Sequence, residues 1–248
     1  MAIPGANWPQ LAKSFVEHLG LAWNPLTTQI ESHDWQSELY SDLARTNRIL
    51  HNLATDCWSY ISMGYFHQNL AAQGSTGSST MPHKVNPIRF ENAEANLEIS
   101  CALLETLAQT LVTSRLQRDL TDSSTQRNIG VAIGHSLLAL SNLQGGLRGL
   151  DVAKQVMARD LDQNWEVLGE AVQQVMRVEG LAGTPGMDNP YERLKELTRD
   201  SHVDEAAMKD FLLSLGLSEE AESRLLALTP QTYFGYADEL ATGEALKN

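Results

Sequence analysis

Residues 74–87, GSTGSSTMPHKVNP, form a polar stretch rich in glycine and hydroxyl side chains. The glycines give the backbone conformational freedom, and the prolines do not allow the stretch to continue as a helix. His83, Lys84 and Asn86 add a titratable ring, a fixed positive charge and an amide. Polar loops held by a rigid scaffold often carry binding and catalytic groups, so this stretch is the first candidate for a functional site.

The segments on either side of this stretch predict long helices. Residues 34–72 place apolar side chains at intervals of three, four and seven, and no proline or glycine occurs between residues 26 and 63. Residues 88–114 and 126–150 also read as long helices with apolar faces. Helices of this length are typical of extended bundles, and we find no period-two alternation long enough for a strand. The predicted fold is therefore all-α and built around a bundle of long helices.

After residue 150 the pattern changes to shorter helices. Loops that contain glycine and proline separate some of them, for example GLAGTPGMDNP at residues 180–190. We therefore expect two domains. Residues 1–149 are predicted to form a partial central long-helix bundle that carries the 74–87 loop, and residues 150–248 a smaller all-helical C-terminal domain.

The charge of the chain restricts its partners. It has 31 acidic and 18 basic side chains, a formal net charge of −13. This charge argues against nucleic acid and anionic membranes as partners. A small anionic substrate is still allowed, because cations near Lys84 and in residues 115–127 can reverse the field inside one cleft. No run approaches the roughly 20 apolar residues of a membrane span, and we see no signal peptide.

The cysteine content favours a cytoplasmic protein. Cys57 and Cys101 fall on apolar helical positions, which predicts buried free thiols rather than a disulfide. Spacings typical of metal ligands, such as CxxC or HExxH, do not occur. The sequence therefore indicates no metal and no other cofactor.

A second polar segment, SRLQRDLTDSSTQRN at residues 114–128, places three arginines among hydroxyl and carboxylate side chains. Asp122, Ser123, Ser124 or Thr125 can cap the helix that starts here. A helix N-terminus flanked by arginines is a good anion site. The alternative is a solvated capping loop with ion pairs along the helix. The three arginines slightly favour the anion site.

Two further polar positions have both a functional and a structural interpretation. Gln29 could contact a ligand, although the residues of its segment favour capping and turn chemistry. Asn92 lies one turn from Asn96 and close to the 74–87 loop, so it could face the same site. Buried asparagines on a bundle helix can instead fix the register of the helices.

Residues 77–87, GSSTMPHKVNP, closely resemble the signature loop GSSxMPxKxNP of the fumarase/aspartase superfamily. Other segments resemble the adenylosuccinate lyase branch of that superfamily, and the resemblance covers about residues 8–240. These segments are WNPLTTQIESHD at 23–34, ENAEAN at 91–96, RDLTDSSTQRN at 118–128, NWEVLGEAVQQVMR at 164–177 and PYERLKELTR at 190–199.

The resemblance implies a C–N lyase that eliminates fumarate from adenylosuccinate to give AMP, and from SAICAR to give AICAR, in purine biosynthesis. It implies Ser78 as the catalytic base, with loop amides and Lys84 stabilising its alkoxide. Histidine is a common proton donor and acceptor in enzymes, but His83 is expected to line the pocket rather than transfer the proton. The implied substrate contacts are Gln29, Ser79, Lys84, Val85, Asn86, Asn92, Arg118, Ser123, Ser124, Thr125, Gln126 and Arg127.

The resemblance also implies what this chain lacks. Superfamily members have an N-terminal domain and further bundle helices that carry the general-acid histidine, and none of the seven histidines here matches it. We therefore expect a C-terminal part that is inactive alone. The family assembles as a homotetramer through its long helices, with active sites drawn from three subunits. The alternatives are another superfamily lyase (argininosuccinate lyase or fumarase) and a non-catalytic helical bundle that only oligomerises.

Overall fold

The computed structural model describes residues 3–69, 85–198 and 203–243. The contacts divide the chain into two compact units, Met1–Val152 and Ala153–Asn248. We had expected the division after residue 149. It falls three residues later because residues 150–152 pair with a strand of the first unit.

The first unit contains α1 (Trp8–His18), α2 (Asp34–Ser62), β1 (Phe66–Gln68), α3 (Ile88–Leu111), α4 (Thr121–Thr125), a 3₁₀ turn (Gln126–Asn128), α5 (Ile129–Arg148) and β2 (Leu150–Val152). Helix α3 packs against both α2 and α5. It is the most deeply buried of the three, with nine buried residues from Phe90 to Leu111. The prediction of an all-α bundle of long helices is confirmed.

The structure differs from the predicted elements in two ways: α2 ends earlier, and a short strand follows it. We expected this helix to reach residue 72, but it ends at Ser62. Gly64 has a φ of +75°, and the Tyr65 N–H donates to the Tyr60 carbonyl at 2.8 Å. This arrangement is a glycine C-terminal cap, in which a left-handed residue stops the helix. The chain then forms β1, which pairs antiparallel with β2. Strands of three residues are too short to give an alternating pattern in the sequence.

The core of the first unit consists of two apolar clusters separated by a polar layer. One cluster contains Tyr40, Ala44, Leu104, Leu107, Ala108, Leu111 and Ala132. The other contains Ala54, Cys57, Phe90, Ala93, Leu97, Ala139 and Leu143. Between them Asn47 donates to Ser100 at 3.0 Å and to Ser136 at 2.8 Å, which links α2, α3 and α5. The register of the three helices is therefore specified by hydrogen bonds as well as by apolar packing.

Both cysteines are free, as predicted. Cys57 is buried, and Cys101 is partly buried with its thiol 3.5 Å from the Ala44 carbonyl. Burial raises the pKa of both thiols, because it disfavours the charged thiolate.

The second unit contains α6 (Lys154–Asp162), a 3₁₀ turn (Trp165–Leu168), α7 (Gly169–Leu181), α8 (Pro190–Thr198), α9 (Glu205–Ser214), α10 (Glu219–Leu226) and α11 (Ala237–Thr242). Trp165, Met176, Met208, Leu212 and Leu225 belong to its core. The last helix, α11, has six residues, and turns at residues 230–232 and 235–236 precede it. Among the described residues, no helix has both the length and the apolar content needed to cross a bilayer.

Candidate active site

The signature stretch is only partly described. Ser78, Ser79 and Lys84, all predicted site residues, lie outside the described residues, as does His83. Before the stretch, the Asn69 N–H donates to the Gly149 carbonyl at 2.8 Å. After it, Val85 and Asn86 are exposed and lead directly into α3. The stretch is therefore attached at the end of the bundle where α3 begins and α5 finishes.

Asn92 lies at this same end, on the first turns of α3. Its Oδ1 accepts hydrogen bonds from Asn96 Nδ2 at 3.0 Å and from Asn142 Nδ2 on α5 at 2.8 Å. Asn96 also contacts His135 on α5, with 2.7 Å between Oδ1 and Nδ1. Asn92 is exposed, whereas Asn96 is buried. The structure thus supports both interpretations of this pair: Asn96 joins two helices, and Asn92 faces solvent beside the signature stretch.

The remaining predicted site residues lie at the opposite end of the bundle. Gln29 is exposed, and its backbone N–H donates to the Gln117 carbonyl at 3.4 Å. This contact places Gln29 beside Arg118, whose Nη2 lies 3.6 Å from Asp122 Oδ2. Ser123, Ser124 and Arg127 are exposed, and Thr125 and Gln126 are half-buried. The turn presents hydroxyl and guanidinium groups to solvent.

The predicted capping by residues 122–125 is not seen, because neither the 3₁₀ turn that starts at Gln126 nor α5 has a side-chain cap hydrogen bond. Just before α4, Asp119 accepts the backbone N–H of Thr121 at 2.9 Å. Hydrogen bonds from Thr121, with help from Arg115, lower the pKa of the Asp119 carboxyl. Asp122 instead points toward Arg118, and its second oxygen, Oδ1, is buried without a hydrogen-bond partner among the described residues.

His33 connects the Gln29 segment to this turn. It is 8% exposed and its backbone φ is +58°, in the left-handed region that favours glycine. Its Nδ1 contacts Glu31, and its Nε2 lies 3.2 Å from Gln126 Nε2 and 3.7 Å from Asp122 Oδ2. Because His33 precedes α2 directly, it occupies the N-cap position.

A cavity of about 230 Å³ lies between the Gln29 segment and the 111–122 turn. His33 and Leu116 line it, and in the described part of the chain they are the two non-glycine residues with positive φ. Strained backbone is concentrated at functional sites, because only strong surrounding interactions maintain it. Glu31, Asp119 and Asp122 also line the cavity, so its walls are acidic while Arg118 lies beside it.

The two groups of predicted site residues do not meet in one chain. Asn92 and Leu111 are 19 residues apart on α3. At about 1.5 Å per residue, Asn92 and the turn that follows Leu111 are separated by about 28 Å. One nucleotide-sized substrate does not span that distance. Within one copy, Val85, Asn86 and Asn92 therefore make up one candidate partial site, and Gln29 with residues 118–127 makes up another.

The described part of the chain contains no group of three or more histidine, cysteine or acidic side chains arranged to hold a metal ion. The groups at both ends of the bundle are amides, hydroxyls, carboxylates and arginines. Such groups suit an anionic organic ligand held by hydrogen bonds and ion pairs.

Comparison with known proteins identifies related sequences. Residues 5–100 match the family model described as Lyase, and residues 114–234 match the model described as Adenylosuccinate lyase C-terminal. The chain is 48% identical over 240 residues to the adenylosuccinate lyase of Vibrio cholerae, covering 96% of this chain and 51% of the relative. It is 49% identical over 236 residues to that of Escherichia coli K12, covering 95% of this chain and 50% of the relative.

The chain belongs to the adenylosuccinate lyase family of the fumarase/aspartase superfamily.

A solved structure agrees with this assignment. The 3-carboxy-cis,cis-muconate lactonizing enzyme from Pseudomonas putida superposes with a TM-score of 0.65 at 26% identity, covering 95% of this chain and 52% of that chain. The chain spans about half the length of the curated adenylosuccinate lyases that it matches.

Several residues of this family member were not singled out as functional candidates from the sequence. His33 was missed, although it follows Gln29 in the quoted segment WNPLTTQIESHD. His135 and Asn142 were also missed. They are seven residues apart on α5 and therefore share one face of that helix, a polar pair that the sequence does display.

Proposed function

We propose that this chain supplies the C-terminal part of an adenylosuccinate lyase. That enzyme is a C–N lyase of purine biosynthesis that eliminates fumarate from adenylosuccinate to give AMP, and from SAICAR to give AICAR. The observation that carries the proposal is the 48% identity to an adenylosuccinate lyase over nearly the whole chain, together with the intact signature GSSTMPHKVNP at residues 77–87.

The residue types suit the chemistry of this β-elimination. A base removes the proton on the carbon beside a carboxylate, the C–H electrons form the new double bond, and the C–N bond breaks as its nitrogen gains a proton. We assign the base to Ser78 and the stabilisation of its alkoxide to Lys84 and loop amides. Ser79, Val85 and Asn86 are assigned to the substrate carboxylates. The acid that protonates the departing nitrogen is expected outside these 248 residues.

The second partial site is assigned to the nucleotide. Gln29, Arg118 and residues 123–127 offer amide, guanidinium and hydroxyl groups, which suit a phosphate and its sugar. Arg118 has a side chain that is 30% exposed and keeps donors accessible beside its contact with Asp122. This assignment favours adenylosuccinate over argininosuccinate or malate, neither of which carries a phosphate.

The separation of the two partial sites supports an oligomer. Since about 28 Å of α3 separates Asn92 from the helix end at Leu111 that precedes the Arg118 turn, we propose that a complete site combines Asn92 and Arg118 from different copies. The long helices expose apolar side chains that a second copy would cover, among them Trp35, Ile49 and Leu137. A homotetramer joined through the long helices, in the cytoplasm, is the assembly that we propose.

Turnover of three substrates tests this proposal. The complete gene product is expected to release fumarate from adenylosuccinate far faster than from argininosuccinate or malate. The 248-residue chain alone is expected to release none, because the acid is absent. Preference for argininosuccinate or malate would indicate another superfamily lyase, and no turnover of any of them would favour a helical bundle that only oligomerises. Fumarate release by the 248-residue chain alone would contradict the proposal that the general acid lies outside it.

A further inference from the structure

We infer that Asn92 is fixed as a hydrogen-bond donor toward the substrate by a relay formed by Asn96, Asn142 and His135. The inference rests on the proposed function, since it concerns which atom of Asn92 the substrate meets. It makes Asn96, Asn142 and His135 positioning residues, which act through Asn92.

The orientation of two amides in the relay follows from backbone carbonyls, which only accept hydrogen bonds. Asn142 lies 3.0 Å from the Leu138 carbonyl, so the atom facing that carbonyl is its Nδ2. Asn96 lies 2.7 Å from the Asn92 carbonyl, so the atom there is likewise its Nδ2. Neither amide can be turned over without placing two acceptor oxygens against each other.

The orientation of Asn92 then follows. Both fixed nitrogens also point at the same atom of Asn92, at 2.8 and 3.0 Å. That atom must be the acceptor Oδ1, because a nitrogen there would face two donors. Asn92 Nδ2 therefore points away from Asn96 and Asn142, and no hydrogen-bond partner for it lies among the described residues. The exposed amide offers N–H groups only.

The protonation of His135 follows in the same way. Since Asn96 Nδ2 is committed to Asn92, the atom 2.7 Å from His135 Nδ1 is the acceptor Asn96 Oδ1. His135 Nδ1 must therefore carry a proton and donate it. The relay runs from His135 to Asn96 to Asn92, and Asn142 joins it from the same helix as His135.

A donor at this position selects an acceptor oxygen of the substrate. Carboxylate and phosphate oxygens share that chemistry, and both occur in adenylosuccinate. Asn92 lies at the end of the bundle that carries the signature stretch and not at the Arg118 end. The geometry therefore favours a carboxylate oxygen of the succinyl group.

Nitrogen NMR of the 248-residue chain tests the relay without any activity. The neutral ring of His135 is expected to be protonated at Nδ1 and bare at Nε2. The opposite tautomer would overturn the relay. Substitution Asn96→Ala is expected to release the His135 ring from this preference, whereas Asn164→Ala, in the second unit, should not change it.

Kinetics of the complete gene product test the role of the relay. In Asn142→Asp an acceptor replaces the donor that faces Asn92, which drives Asn92 to turn its nitrogen inward. We expect KM for adenylosuccinate to rise about tenfold or more, with a smaller change in kcat, as for one hydrogen bond to a charged group. Asn142→Ala should raise KM less, because Asn96 still holds Asn92. If Asn142→Ala raised KM as much as Asn142→Asp or more, the idea that Asn142 orients the Asn92 amide would be contradicted.

The matched control is Asn164→Asp. Asn164 Nδ2 donates to the Asp160 carbonyl four residues before it, as Asn142 Nδ2 does to Leu138. This variant should keep the wild-type KM. Product inhibition separates the two oxygen sources: Asn142→Asp should weaken inhibition by fumarate, whereas selective weakening of inhibition by AMP would overturn the carboxylate assignment.

Failure of the relay and failure of the proposed function give different results. Fumarate release by the wild-type protein together with the wrong His135 tautomer would overturn the relay alone. The expected tautomer without fumarate release from adenylosuccinate would overturn the proposed function.

Discussion

Asn47 Nδ2 lies 2.8 Å from Ser136 Oγ, although 89 residues separate the two in the sequence. The same nitrogen donates to Ser100, and Ser100 lies 2.8 Å from the Ala132 carbonyl. Asn47 and Ser100 are buried, between two apolar clusters. A satisfied polar layer of this kind penalises any shift of one helix along another, because a shift leaves buried groups unpaired.

Replacing Asn47 tests this layer. Asn47→Ala removes the amide donor that Ser100 and Ser136 share, and leaves these hydroxyls only their contact with each other at 2.7 Å and the Ser100 bond to the Ala132 carbonyl. It is expected to lower the free energy of unfolding by about 1–3 kcal/mol. Chemical denaturation measures this change in the free energy of unfolding. Asn52→Ala, which removes an exposed contact to Asp56 on the same helix, is the control and should change stability by less than about 0.5 kcal/mol. Equal effects of the two substitutions would contradict the role of the layer.

Two neighbouring glycines on α5 should respond differently to alanine. A Cβ on Gly146 would lie 2.8 Å from the ring of Phe90, which is fully buried. Gly146→Ala is therefore expected to destabilise the bundle by about 1–3 kcal/mol. A Cβ on Gly145 would meet only the flexible end of Arg89. Gly145→Ala should be neutral or stabilise by up to about 1 kcal/mol, because alanine favours helices. Thermal unfolding of both variants compares them, and the reverse order would be inconsistent with this packing.

Glu179 should make the stability of the second unit dependent on pH. It accepts hydrogen bonds from the backbone N–H of Ser218 at 3.0 Å, from the Ser218 hydroxyl at 2.8 Å and from Thr184 at 3.0 Å. These contacts lower the pKa of the carboxyl from its usual 4.5. An acid with a lowered folded-state pKa stabilises above its unfolded pKa and loses that contribution as the pH falls through the folded value.

The variant Glu179→Gln is therefore expected to be less stable than the wild type above pH 4.5. The difference should shrink as the solution is acidified below that value. Melting temperatures over a pH series measure this difference. Glu220→Gln, at an exposed position on α10, is the control. A difference that stays constant with pH would refute the assigned role of the Glu179 charge.

Mixing of variants tests whether a site combines residues of different copies. Asn92→Asp and Arg118→Ala are each expected to lose most fumarate release in the complete gene product. After the two are unfolded and reassembled together, activity should return, because some sites then receive a native Asn92 and a native Arg118 from different copies. Mixing Asn92→Asp with the double variant Asn92→Asp/Arg118→Ala should restore nothing. If a verified mixed oligomer of Asn92→Asp and Arg118→Ala recovered no activity, Asn92 and Arg118 would have to reach each active site from the same chain.

Much of the fold could be predicted from local patterns. The apolar stripes of α2, α3 and α5 repeat at helical spacing, and each stripe predicted its helix. The end of α2 was missed because Gly64 stops the helix within an apolar pattern that continues. The β1–β2 pair was missed because its pairing joins Phe66 to Val152, a contact that no local pattern encodes.

The site could be predicted as residue types but not as an arrangement. The signature stretch and the Arg118 turn were found from sequence, and the roles of their residues remain predictions. The relay around Asn92 depends on α3 and α5 lying side by side, and His33 depends on contacts with Gln126 across 93 residues. The separation of Asn92 from the Arg118 turn follows from the length of α3, because Asn92 lies on its first turns and the turn follows its last residue, Leu111.

Fumarate release from adenylosuccinate by the complete gene product, compared between the wild type and Ser78→Ala, tests the central claim most directly. The wild type should form fumarate and AMP in equal amounts. Ser78→Ala should lower kcat by about 100-fold or more, as expected for loss of a catalytic base. The control Ser62→Ala, whose hydroxyl donates only to the Ser59 carbonyl on α2 among the described residues, should retain full activity. Unchanged turnover in Ser78→Ala, or no fumarate from the wild type, would contradict the account.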